Sequence, residues 1–81
     1  MTERQPSVTE SPTPSRAFLD VVRLPDGRFE VAFTQGELRR KSYTASVELV
    51  VRQALRAGGI PVRTDDAELR QRCLEAQVPL L

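Results

Sequence analysis

The chain has no histidine and no tryptophan, and only one cysteine and one tyrosine among its 81 residues. Without histidine it lacks the commonest general base and metal ligand, and with them every Ser-His or Cys-His nucleophile pair. A zinc centre needs three or four ligands, and Cys73 has no thiol or imidazole companion. No internal disulfide can form, so nothing points to an oxidising compartment. No apolar run approaches the roughly 20 residues that cross a bilayer, and Glu3, Arg4 and prolines stand where a signal peptide carries its apolar segment. Gly58-Gly59 follows a helical pattern instead of opening one, so no Walker or Rossmann phosphate cradle is present. These absences lead us to expect a cytoplasmic chain that is not an enzyme, with no catalytic residue, no cofactor, no metal and no membrane contact.

Aromatic residues are scarce as well, so a core must be built mainly from Val and Leu. A chain of this length buries only about 60% of the surface its unfolded form exposes, and a partner or second subunit would help stabilise it. Residues 1–15 hold six Ser/Thr, three of the six prolines and no aromatic residue. They cannot bury enough surface to offset the entropy of ordering and read as a disordered tail, with Ser11-Pro12 and Thr13-Pro14 as solvated sequence. Residues 16–81 read as one small α+β domain.

In that segment the turn chemistry sets a strand register. Pro25 presets φ, Asp26 suits the next position, and Gly27 accepts the left-handed conformation of a type I turn followed by a G1 bulge. Leu24 then pairs with Arg28, Val21 with Val31 and Leu19 with Phe33. This places Leu19, Val21, Phe29, Val31 and Phe33 on one face and sends Asp20 to the other. The competing two-residue loop would turn Asp20 toward the apolar face, at the cost of burying a carboxylate. Leu38 to Tyr43 is expected to form a third antiparallel strand. A two-residue loop at Gln35-Gly36 would set Arg39 beside Ala32, Lys41 beside Glu30 and Tyr43 near Arg28 on the outward face.

Val47, Val50, Val51, Ala54 and Leu55 recur at the spacing of a helix with one buried stripe. Thr44 or Ser42 would cap its start, and Gly58-Gly59 with Ile60-Pro61 would end it. Asp65 and Glu68 resemble a capping pair for a shorter second helix, with Leu69, Cys73 and Leu74 inward. Cys73 on that stripe reads as a small buried hydrophobe and not a reactive thiol. The expected fold is therefore α+β, a β-hairpin or three-stranded sheet followed by a packed helix and a shorter C-terminal helix.

Net charge is only +1, but residues 39–63 hold Arg39, Arg40, Lys41, Arg52, Arg56 and Arg63 against Glu48 alone. On a helical wheel Arg52 and Arg56 lie opposite the Val47/Val51 stripe, away from the sheet, while Arg39 and Lys41 leave the sheet's other face. The basic stretch is thus expected to divide between two surfaces, with Glu48 and Arg52 forming a helical i,i+4 pair. Leu49 sits exposed between the arginines, and Leu80 and Leu81 end the chain. Leu49, Arg52, Arg56, Leu80 and Leu81 are the candidate contacts for a protein partner or a homodimer.

Three short strands followed by a helix, with Gly36-Glu37-Leu38-Arg39-Arg40-Lys41-Ser42-Tyr43 as a basic third strand leading to an aromatic, resembles the AP2 and phage-integrase arm-binding DNA domains over about half the chain. That resemblance implies a sheet whose outer face reads the DNA major groove. Arg28, Arg39, Arg40 and Lys41 are the corresponding candidate nucleic-acid contacts. Asp20, Glu30 and Glu37 share that outer face, and a phosphate-facing sheet should avoid carboxylates. The sequence therefore favours a small non-enzymatic protein-interaction or regulatory module, with DNA or RNA binding through the basic 39–63 segment as the alternative.

Overall fold

The computed structural model describes residues 16–81; the tail expected to be disordered lies outside them. The elements are β1 (Phe18–Arg23), β2 (Phe29–Gln35), β3 (Leu38–Thr44), α1 (Val47–Arg56), β4 (Val62–Arg63) and α2 (Ala67–Glu75). They form an α+β arrangement whose sheet runs β3-β2-β1-β4, with β4 parallel to β1 and the other neighbours antiparallel.

The first turn fixes the register as the sequence implies. The Leu24 N–H donates to the Arg28 carbonyl at 2.7 Å and the Gly27 N–H to the Leu24 carbonyl at 2.9 Å. Gly27 takes φ 91°, a left-handed value disfavoured for residues with a Cβ, and the Asp26 carboxylate accepts from the Arg28 N–H. Val21 faces Val31, Leu19 faces Phe33 and Asp20 faces Ala32. Leu19, Val21, Phe29 and Val31 are buried and Phe33 packs half-buried beside them.

The second turn is displaced from its expected place. Gln35 pairs with Leu38, so the loop is Gly36-Glu37 and not Gln35-Gly36. Gly36 has positive φ while Glu37 does not, the signature of a turn whose first central position demands glycine. Lys41 therefore sits opposite Ala32 and Arg39 opposite Thr34, two residues from the expected pairing. A shift of two preserves each side chain's face, so Arg39, Lys41 and Tyr43 still point outward.

Ser46, not Thr44 or Ser42, caps α1, its hydroxyl accepting from the Leu49 N–H at 3.3 Å. Strand β3 runs on through Thr44 and leaves the capping position to the last residue before the helix. Val47, Val50, Val51 and Ala54 are buried, but Leu55 is half exposed because it falls at the margin of the stripe. Gly58 and Gly59, both at positive φ, turn the chain out of the helix and into β4. This strand is too short to give a periodic signal, yet it completes the core by placing Val62 beside Leu19. Asp66, not Asp65, caps α2, accepting from the Leu69 N–H at 3.0 Å. Leu69 and Cys73 are buried, whereas Leu74 is exposed on the far side of α2.

Arg23 binds β1 to α2. Its guanidinium reaches Asp66 at 2.7 Å and Glu68 at 2.8 Å, and lies 4.5 Å from the centroid of the Phe29 ring. The hydrogen bond from Arg23 holds the Asp66 carboxyl below its ordinary range, against the opposing effect of desolvation. The chain end then returns to the sheet: Val78 is buried, and Val62 exchanges backbone hydrogen bonds of 2.9 and 3.0 Å with Pro79 and Leu81.

A Cβ added at Gly27 meets nothing within 4 Å, so replacing this glycine tests backbone conformation alone. Gly27→Ala is expected to cost about 1–2 kcal/mol and Gly27→Asn distinctly less. Urea denaturation should show this as a lower midpoint at unchanged slope.

Candidate functional site

The two faces of the sheet differ in what covers them. Helices α1 and α2 pack on the inner face, over β1 and β2, and α1 approaches the sheet chiefly at β2. Strand β3 projects past the helix, and of its residues only Thr44 is even partly buried. This leaves an open groove between β3 and α1. It consists of two adjoining depressions, one lined by Thr44, Leu49 and Arg52 and the other by Phe33 and Arg40, which share Ser42, Gln53 and Arg56.

The groove changes the expected division of the basic segment. Arg39 and Lys41 do occupy the outer face, but Arg40 lies between them in sequence and so points inward, toward the flank of α1. Arg52 and Arg56 do not point away from the whole sheet, because β3 reaches beyond the helix to meet their flank. The structure thus brings together Arg40 from one candidate set and Leu49, Arg52 and Arg56 from the other. Of these, Leu49 is 43% exposed.

Charge pairing separates these arginines from the cations of the outer face. On the outer face Arg63 reaches Asp20 at 2.9 Å and Arg39 reaches the same carboxylate at 3.7 Å, while Lys41 lies 3.8 Å from Glu30. Hydrogen bonding from Arg63 lowers the Asp20 pKa despite partial desolvation, with Arg39 adding to the effect. Arg28 pairs with Asp26 at 2.8 Å and lies 5.7 Å from the centroid of the Tyr43 ring. By contrast, Arg40, Arg52 and Arg56 have no carboxylate at ion-pair distance among the described residues. The expected Glu48–Arg52 pair is replaced by Glu48–Arg72, since α2 lies alongside α1 and offers a nearer guanidinium. Arg72 also approaches Glu75 at 3.6 Å, so both carboxylates lining the groove between α1 and α2 are engaged by Arg72, while Arg52 stands at its rim as well.

The other candidates separate. Leu80 is half-buried against the core, bridging Val62, while Leu81 is 60% exposed at the opposite edge of the sheet from β3. Phe33, Ser42 and Gln53 were not singled out as contacts from the sequence. The first two follow from strand parity, which places Phe33, Arg40 and Ser42 on one face, but Gln53 gave no signal of its own.

For chemistry the site offers guanidinium and hydroxyl groups but no base. Cys73 is wholly buried, and burial pushes its thiol pKa up. Among the described residues no group of three or more His, Cys, Asp or Glu side chains is placed to hold a metal ion, and no helix is long and apolar enough to cross a membrane. No family model, curated protein or solved structure matches the chain.

Arginines without a carboxylate partner among the described residues should be dispensable for folding. Arg40→Gln, Arg52→Gln and Arg56→Gln are each expected to leave the thermal midpoint unchanged. Arg23→Gln, which removes the link among Asp66, Glu68 and Phe29, should lower it in the same calorimetric series.

Proposed function

We propose that the chain is a non-enzymatic protein-interaction module, and that its contact surface is the face formed by β3 and α1. The observation that carries this reading is the gathering of Arg40, Arg52 and Arg56, without carboxylate partners among the described residues, around a groove that also presents Leu49 and Phe33. Interfaces combine arginine with an apolar centre in this way. A module of this kind acts by occupying or positioning its partner, which makes a regulatory role its natural use.

Nucleic acid is the second reading, and the same three guanidiniums favour it because they match phosphate geometry. The route implied by the resemblance to sheet-based DNA readers is weaker. Arg39, Lys41 and Arg63 on the outer face are engaged by Asp20 and Glu30, and the carboxylates would lie against phosphates.

A photocrosslinking residue in place of Leu49, compared with one in place of the outward-facing Val22, separates these readings in the native host. A discrete protein adduct at Leu49, absent at Val22 and lost when Arg40 and Arg56 are changed to Glu, is the expected result. A nuclease-sensitive adduct at Leu49 would instead select nucleic acid, and equal adducts at both positions would remove the β3–α1 face as the site.

A further inference from the structure

Strand β3 is an edge strand seven residues long, and among the described residues no other strand pairs with its outer edge. Counting the antiparallel ladder from the two-residue turn at Gly36-Glu37, Leu38, Arg40, Ser42 and Thr44 exchange hydrogen bonds with β2. The N–H and C=O groups of Arg39, Lys41 and Tyr43 then face away from the sheet. No hydrogen bond from the described residues reaches them. The opposite edge offers no comparable template, because β4 has two residues and the returning chain already bonds to Val62.

We infer that the partner is an acidic extended segment that adds to β3 as a further antiparallel or parallel strand. This rests on the reading of the β3–α1 face as a protein-interaction surface and names what that surface takes. An added strand satisfies the open backbone groups, and its alternate side chains fall on the two faces of the sheet. Those on the inner face enter the groove beside Arg40, Arg52 and Arg56, where carboxylates find guanidiniums that have no competing intramolecular partner among the described residues. Those on the outer face meet Arg39, Lys41 and Tyr43.

The charge that admits an acidic strand excludes the most available alternative, a second copy of the chain. Antiparallel self-pairing centred on β3 would set Lys41 against Lys41 and bring two Arg39-Arg40-Lys41 runs side by side. Like charges directly opposite one another destabilise a sheet. The same three residues thus act against self-association and for an acidic partner, a discrimination made partly by repulsion.

The test uses the full chain and a short fluorescein-labelled peptide alternating Glu with Val, its counterpart with every backbone nitrogen methylated so that neither edge can donate, and a single-stranded oligonucleotide of equal charge. Fluorescence anisotropy at low salt is expected to show binding of the plain peptide, weakened at least about tenfold by methylation, since a strand that cannot donate loses its backbone bonds. Arg40→Glu with Arg56→Glu should abolish it at unchanged circular dichroism. Equal binding of methylated and plain peptides would overturn strand addition while leaving an acidic protein contact in place. Absence of peptide binding alongside a protein adduct at Leu49 would overturn the inference alone. Tighter binding of the oligonucleotide would overturn both the inference and the protein-interaction reading.

Discussion

Closure of the first hairpin between Leu24 and Arg28 is the constraint from which the other placements follow. With Gly27 in a left-handed conformation, the extra residue of the bulge sets Val21 against Val31, and every side chain of β1 and β2 receives a face. A one-residue slip would send Leu19 and Val21 to solvent and Asp20 into the core. Strand β2 transmits that assignment to β3, which is why Arg40 turns inward while its two neighbours turn outward. On its other side β1 receives β4, and Val62 completes the buried layer beneath the helices.

That inheritance of faces sorts the basic residues by role. Arg23 belongs to the fold, joining β1 to the capped start of α2 and covering the Phe29 ring. Arg39, Lys41 and Arg63 lie over the outer face with Asp20 and Glu30, and Ala32 is almost wholly buried on that face with no second layer above it among the described residues. Arg40, Arg52 and Arg56 have no such employment among the described residues. A chain whose net charge is +1 therefore presents a locally basic groove, a property invisible in the total. Its position beside an open strand edge gives backbone and side chains of one partner segment something to bind at once.

The sequence made legible whatever depends on local conformation or strict periodicity. The glycine turn, the first-hairpin register and the Val47 to Ala54 stripe could be read because each leaves a signature within a few residues. The second turn was misplaced by one residue, and the pairing of β3 by two, because Gln35-Gly36 and Gly36-Glu37 both contain a suitable glycine, and only pairing with β2 decides between them. The caps moved to Ser46 and Asp66 because a polar side chain caps the helix only if the chain enters there, which depends on where β3 and β4 end. The groove was obscured for a different reason. Linear charge and a helical wheel treat sheet and helix as two complete layers, whereas α1 leaves the inner side of β3 uncovered. No local pattern announces that lateral offset, although strand parity already separated Arg40 from Arg39 and Lys41.

Amide-resolved hydrogen exchange of the full chain, free and in the presence of the alternating Glu-Val peptide, addresses the central claim most directly. In the free chain the amides of Arg39, Lys41 and Tyr43 should exchange rapidly while those of Arg40 and Ser42 are protected, and the peptide should confer protection on the first three. Protection confined to the α1–α2 groove or to the strand opposite β3, with the Arg39, Lys41 and Tyr43 amides unchanged, would contradict the account.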